Sequence, residues 1–376
     1  MNAASIALLA CCLLSACATI PRMEPIRVAA TGRDFVRKPS GRPFRPWGHN
    51  YCGNNGRLIE DYWDTDWRTV VEDFREMKAL GANVVRIHLQ FGKFMDAPDK
   101  PNEAALRQLE RLVALAEQTG LYLDVTGLAC YRPKDVPAWY DKLDANERWA
   151  AQARFWEAVA ARCAKSPAIF CYDLMNEPVS PPTKRENGGW YSGHLLGEYD
   201  FVQFISLDPG RQTKEEVACR WIQTLSAAIR KHDRQHLITV GLWLWSGFTP
   251  SAVAPSLDFL SVHIYPVSGK LGAAMAELRA YAVGKPVVIE ETFPLSCSGE
   301  ELETFLLASR EYACGWLGHY DGKTLAEYDA LQRKNRITLP QALWREWLRL
   351  FQKLTPVMTR VESIRSEPDG KPGNRN

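Results

Sequence analysis

Short apolar runs alternate with longer amphipathic stretches along most of this chain. The runs at 44–51, 83–89, 121–128, 169–175, 237–244, 259–265, 287–291 and 315–320 are nearly continuous in apolar residues. That is the pattern of strands covered on both faces. Between them, stretches such as 67–80, 103–119, 146–165 and 214–232 repeat apolar residues at helical spacing, and a last one at 340–354 follows the eighth run. Strands alternating with helices predict parallel pairing through crossovers, which leaves a closed barrel or an open doubly wound sheet. No GxGxxG follows the first strand and no phosphate-binding P-loop occurs, which removes the commonest reasons to prefer the open sheet. The expected class is therefore α/β, a (β/α)8 TIM barrel forming a single domain over 39–358.

The flanks differ from this pattern. Residues 6–14 form an apolar run too short to span a bilayer. It ends in Leu14-Ser15-Ala16-Cys17, which resembles the lipobox of bacterial lipoproteins, although no Lys or Arg precedes the run. The resemblance implies a signal peptide over 1–17, lipid on Cys17 and a lipid anchor in the bacterial cell envelope. Ala18 after the cysteine favours the outer membrane in the proteins it resembles. The alternative is an ordinary secretory signal leading to a periplasmic or secreted protein. Residues 18–38, with Pro21 and Pro25, are expected to be a tether, and the Pro-, Gly- and charge-rich 359–376 a disordered tail.

A formal net charge of +2 gives no basic stripe, so nucleic acid is not an expected partner. Thirteen tryptophans are a high count, mostly for a large core with a few left as sugar-stacking faces. Seven cysteines follow Cys17 without a CxxC pair or a Cys/His cluster of zinc-ligand spacing, and buried free thiols are expected for most.

In a (β/α)8 barrel the chemistry sits at the C-terminal strand tips. Those tips carry His49 and Asn50, Arg86 and His88, Asn176 and Glu177, His263 and Tyr265, Glu290 and Glu291, and Trp316. Polar residues ending strongly apolar strands need partners or a function. Glu177 stands out: Pro178 after it is expected to hold an extended backbone there and to end the pairing. A second carboxylate follows Lys285-Pro286-Val287-Val288-Ile289. Glycoside cleavage needs such a pair, one protonated for the leaving oxygen and one ionised at the anomeric carbon, with the ionised group raising the pKa of the other.

These tips resemble clan A glycoside hydrolases, most closely family 5, the cellulase and mannanase family. The resemblance covers about 44–354 and rests on Asn176-Glu177-Pro178 and on the Lys-Pro-Val…Glu run of strand seven. It implies a retaining β-glycoside hydrolase acting on a β-mannan- or β-glucan-type glycan, with neither metal nor organic cofactor. Glu177 would be the acid/base and Glu291 the nucleophile, with carboxyl groups roughly 5 Å apart; a one-residue slip would put Glu290 in the second role. Arg86 would orient the nucleophile, Asn176 bind the sugar's 2-hydroxyl, and His263 and Tyr265 line the reacting subsite. Trp316 would stack beneath the sugar. His49 and Asn50 match by position alone, and His88 is either a sugar contact or a structural histidine. Trp243 and Trp245, alternate residues that would share a strand face, are further candidate subsite walls, with core packing expected of at least one. Strand three lacks the histidine found in many family cellulases, and the 179–213 connection has no pattern we can place, which leaves the substrate open. The rivals are a glycan-binding barrel without catalysis and a metal-dependent barrel hydrolase.

Overall fold

A computed structural model describes residues 23–186, 189–243 and 246–360 of the 376. The signal segment with Cys17, all but the first two residues of the 359–376 tail, and Trp245 lie outside the described residues.

The eight apolar runs form eight parallel strands: β1 (Trp47–Tyr51), β2 (Val84–Gln90), β3 (Tyr122–Ala129), β4 (Ile169–Asn176), β5 (Leu237–Leu242), β6 (Leu260–His263), β7 (Val287–Glu291) and β8 (Gly315–His319). Each pairs with its sequence neighbours, and β8 pairs with β1 to close the barrel. Helices α1 (Trp67–Ala79), α2 (Glu103–Thr119), α3 (Ala145–Cys163), α4 (Lys214–Arg230), α5 (Leu271–Ala280), α6 (Gly299–Ser309), α7 (Leu325–Arg333) and α8 (Leu339–Met358) form the outer shell. The β5–β6 crossover holds only a short helix, Pro250–Val253. Five helices begin with reciprocal capping boxes, among them Asp144 with Glu147 on α3 and Thr213 with Glu216 on α4. Each pair satisfies two otherwise unpaired backbone N–H groups and sets where the helix starts.

The tether expected over 18–38 is instead built structure from Met23 on. Strands Ile26–Val28, Phe35–Arg37 and Pro43–Phe44 make a small antiparallel sheet. Ile26 and Phe35 are fully buried and pack with Phe44 of the same sheet and with Tyr122, Phe170 and Phe259 at the starts of barrel strands. The Phe35 ring meets those of Phe170 and Phe259 edge-on at 5.2 Å each. The chain thus plugs the barrel floor before entering β1. Too few apolar residues stand at regular spacing here for the sequence to signal it. The seven cysteines beyond Cys17 are free thiols.

Candidate active site

Two layers of side chains, linked by a histidine, rise through the upper barrel. In the lower, Arg86 of β2 is fully buried. Its Nη1 donates to Asn50 Oδ1 at 2.8 Å and Glu291 Oε1 at 2.5 Å; its Nη2 donates to Asp173 Oδ2 at 2.7 Å and Asn176 Oδ1 at 3.0 Å, with Glu290 Oε2 at 3.4 Å. A buried guanidinium needs this many acceptors, because an unpaired one would be costly. Asp124 lies in the same layer. Burial and the neighbouring Glu290 and Asp173 charges hold its pKa well above the usual carboxylate value, so it keeps its proton. Gly241 of β5 leaves the room: a Cβ there would stand 2.8–2.9 Å from Arg86 Nη2, Glu290 Oε2 and His263 Nε2.

His263, ending β6, links this layer to the next. Its Nε2 meets Glu290 Oε2 at 3.3 Å, and its Nδ1 meets Glu177 Oε1 at 2.9 Å and Glu291 Oε2 at 3.6 Å. Burial would lower its pKa, but the Glu291 charge and the bonds to Glu177 and Glu290 raise it to about 10. The ring is therefore an imidazolium donating from both nitrogens. Burial would likewise raise the Glu291 carboxyl; His263, Arg86, His319 and the Tyr265 hydroxyl, which donates to Oε2 at 2.6 Å, hold it far below the usual range instead.

Glu177 and Glu291 form the upper layer across the mouth. One oxygen of each, with a ring nitrogen of His263, lies within 4.8 Å of the others. Both carboxylates border a cavity of about 550 Å³. Glu290 does not: it is fully buried beneath, accepting from Ser261 Oγ at 2.9 Å. The extended backbone expected at Glu177 is corrected. Its φ is +45°, in the left-handed region, while its N–H still reaches Gly241 O at 2.9 Å. Pro178 restricts the preceding residue by disfavouring the right-handed helical region and does not exclude this turn. The conformation costs energy for a non-glycine residue and is held by the flanking pairing.

Asn176 borders the same cavity, but its amide already donates to Phe201 O at 3.1 Å. Tyr265 also faces it, and so does His88, whose Nδ1 is tied to the Tyr131 hydroxyl at 2.6 Å. Three expectations fail. Trp316 is fully buried on the helix side of β8, its indole N–H donating to Ser309 Oγ at 2.8 Å on α6. His49 packs outward on Phe351 at 4.0 Å, and burial drives its pKa down to about 3, so it is a neutral core residue. Asn50 does point inward, yet its amide donates to the Glu290 and Gly318 carbonyls beneath the cavity, so it positions Arg86 and does not face a ligand. Alternation explains the Trp316 and His49 errors, since neighbouring strand residues face opposite sides. Trp316 and Gly318 meet the helices, whereas Leu317 and His319 turn inward. Trp243 is half-buried and does not line the cavity.

The sequence reading missed His319, whose Nε2 meets the Tyr265 hydroxyl at 2.9 Å, and Trp344 of α8, which packs on Phe293 at 4.5 Å and lines the cavity. It also missed Asp124 and Asp173. Lone acids within the two apolar strands that follow the arginine's strand were the available signal. Trp344 had none, because it comes from a helix that only the closed fold brings over the mouth.

Residues 38–324 match the family described as Cellulase (glycosyl hydrolase family 5). A mannan endo-1,4-beta-mannosidase A of Hypocrea jecorina is 25% identical over 61% of this chain and 57% of its own length. The enzyme of the same name from Podospora anserina is 25% identical over 50% of each. The chain thus spans about half the length of these curated relatives. Among solved structures, an exo-beta-1,4-mannosidase from an Opitutaceae bacterium aligns over 92% of this chain and 67% of its own, with a TM-score of 0.65 at 17% identity. The beta-mannanase of the blue mussel Mytilus edulis aligns over 89% and 96%, with a TM-score of 0.57 at 16% identity. These likenesses carry the fold.

Proposed function

Since the chain belongs to glycosyl hydrolase family 5, we propose that it is a β-glycoside hydrolase that cleaves mannose- or glucose-configured glycosides with retention. Glu291 is the nucleophile and Glu177 the acid/base. The observation that carries this is the approach of one oxygen of each carboxylate within 4.8 Å of the other at the base of one cavity. That spacing admits a sugar carbon and leaves no room for a water between it and the attacking oxygen. Glu291, held ionised by Arg86 and His263, attacks the anomeric carbon while Glu177 gives its proton to the leaving oxygen. Water deprotonated by Glu177 then opens the glycosyl ester from the same face. His263, bonded to Glu177, holds the acid in place. The mannosidase relatives support mannose configuration.

The test is early time-point NMR on a β-glycoside, where β-anomeric product is expected first and α-anomeric product refutes retention. Glu291→Ala is expected to lose nearly all turnover, with azide restoring part of it on an activated aryl glycoside as the α-glycosyl azide. Glu177→Gln should spare that activated substrate and lose the natural glycan; equal losses on both refute its role as acid.

Lipidation at Cys17, with anchoring in the bacterial envelope, is proposed on the Leu14–Cys17 resemblance alone. Cys17→Ser should move the protein to the soluble fraction with its activity intact. A variant still in the membrane fraction overturns the anchor.

A further inference from the structure

Among the described residues, the lining of the catalytic cavity is polar only at its base. Its hydrogen-bonding lining groups, including His88, Asn176, Tyr265 and His319, stand on the barrel strands or within two residues of their ends. Above them the lining side chains are Leu196, Phe201, Phe293, Leu295, Leu343 and Trp344, with Pro340. Of these only the Trp344 indole can donate a hydrogen bond from its side chain.

A second sugar ring would bring hydroxyls into this upper space. They need polar partners or a flat aromatic face beneath the ring; Phe201, Phe293 and Trp344 offer aromatic faces, but the four aliphatic lining residues Leu196, Leu295, Leu343 and Pro340 supply neither. Leu196 and Leu295 are 74% and 62% exposed, and their neighbours Leu195 and Leu339, on two of the three segments around the mouth, are 57% and 86% exposed. Half of the eight large hydrophobics exposed among the described residues thus lie at or beside this one opening. Apolar surface gathered at the mouth of a site marks a contact with something apolar. Because the cavity ends on the two carboxylates, that something is part of the molecule being cleaved. Leu196 and Phe201 belong to the connection that follows Glu177, so one apolar wall rises on the side where the leaving oxygen is protonated.

We propose that the substrate is an amphiphilic β-glycoside: one sugar unit on the polar floor, joined to an alkyl or aryl aglycone that lies along the leucine and phenylalanine walls. This rests on the β-glycosidase reading above. Hydrolysis breaks the bond between the anomeric carbon and the aglycone oxygen. Glu177 gives that oxygen its proton, and water supplies both the sugar's new hydroxyl and the proton that restores Glu177.

The experiment measures kcat/KM on methyl to octyl β-D-mannosides and β-D-glucosides below their micellar concentrations, beside manno- and cello-oligosaccharides from di- to pentasaccharide. The expected result is a rise of up to about fourfold per methylene over the first several carbons, as for a chain moving from water onto an apolar wall. The octyl glycoside should surpass the disaccharide. Leu196→Asn with Leu295→Asn changes two exposed positions and should flatten the alkyl dependence. A rate that climbs with sugar units and ignores alkyl length overturns the inference while the glycosidase reading stands. An alkyl dependence that survives the double variant overturns the assignment to these walls. Hydrolysis of neither series, nor of an activated aryl glycoside, overturns the glycosidase reading and the inference with it.

Discussion

The charge balance at the base of the site centres on Arg86 and His263, two cations facing Asp173, Glu177, Glu290 and Glu291. This gives the protein a pH dependence whose sign can be worked out. The folded-state pKa of His263 is raised from 6.5 to about 10. Its contribution to stability is therefore fully present below pH 6.5 and is lost as the pH climbs toward 10. Glu291 behaves oppositely: its lowered pKa contributes above the ordinary carboxylate value of 4.5 and is lost as the pH falls below it. Denaturant melts across pH should show stability falling between pH 6.5 and 10, and His263→Gln should lessen that fall. An unchanged alkaline slope in the variant would show that His263 is not its source. Because Glu291 stays ionised, the acidic limb of kcat/KM should lie below the usual carboxylate range.

At the scale of elements, hydrophobic patterning placed the barrel strands and most helices, because their apolar spacing is regular; the capping boxes that set the helix starts are equally local in sequence and were a signal left unread. Which face of a strand a residue takes was also legible, and reading tips without reading alternation is what misplaced Trp316 and His49. The N-terminal sheet was not legible. Its strands are two or three residues long, and Ile26 and Phe35 are buried only because the barrel floor offers them a surface. Phe35→Ala should cost about 3–5 kcal/mol in a denaturant melt, as for other buried phenylalanines. A loss under 1 kcal/mol would mean that the sheet merely rests on the barrel.

At the scale of the whole molecule, closing the barrel brings Glu177, His263 and Glu291 from β4, β6 and β7 to one point. Two carboxylates and a histidine could in principle hold a metal ion, the arrangement a metal-dependent hydrolase would use. Here their atoms are already engaged: both His263 nitrogens face carboxylates, and the two Glu291 oxygens accept from Arg86 and Tyr265. A cation would have to displace an imidazolium proton and compete with Arg86. Prolonged EDTA treatment is therefore expected to leave kcat unchanged, and loss of activity restored by a divalent ion would favour the metal enzyme.

The sequence by itself determined the class of fold and the order of its strands, and it marked Glu177 and the Glu290–Glu291 pair as candidates, because hydrophobic periodicity and strand ends act within a few residues of where they are read. Only the tertiary structure decided what those carboxylates face. The depth that separates Glu290 from Glu291, the turn of Glu177 into the left-handed region, and the apolar walls from the 179–213 connection, the β7–α6 loop and α8 all depend on residues far apart in the chain. Burial and charge at a site are sums over neighbours, and closing the barrel is what makes those residues neighbours.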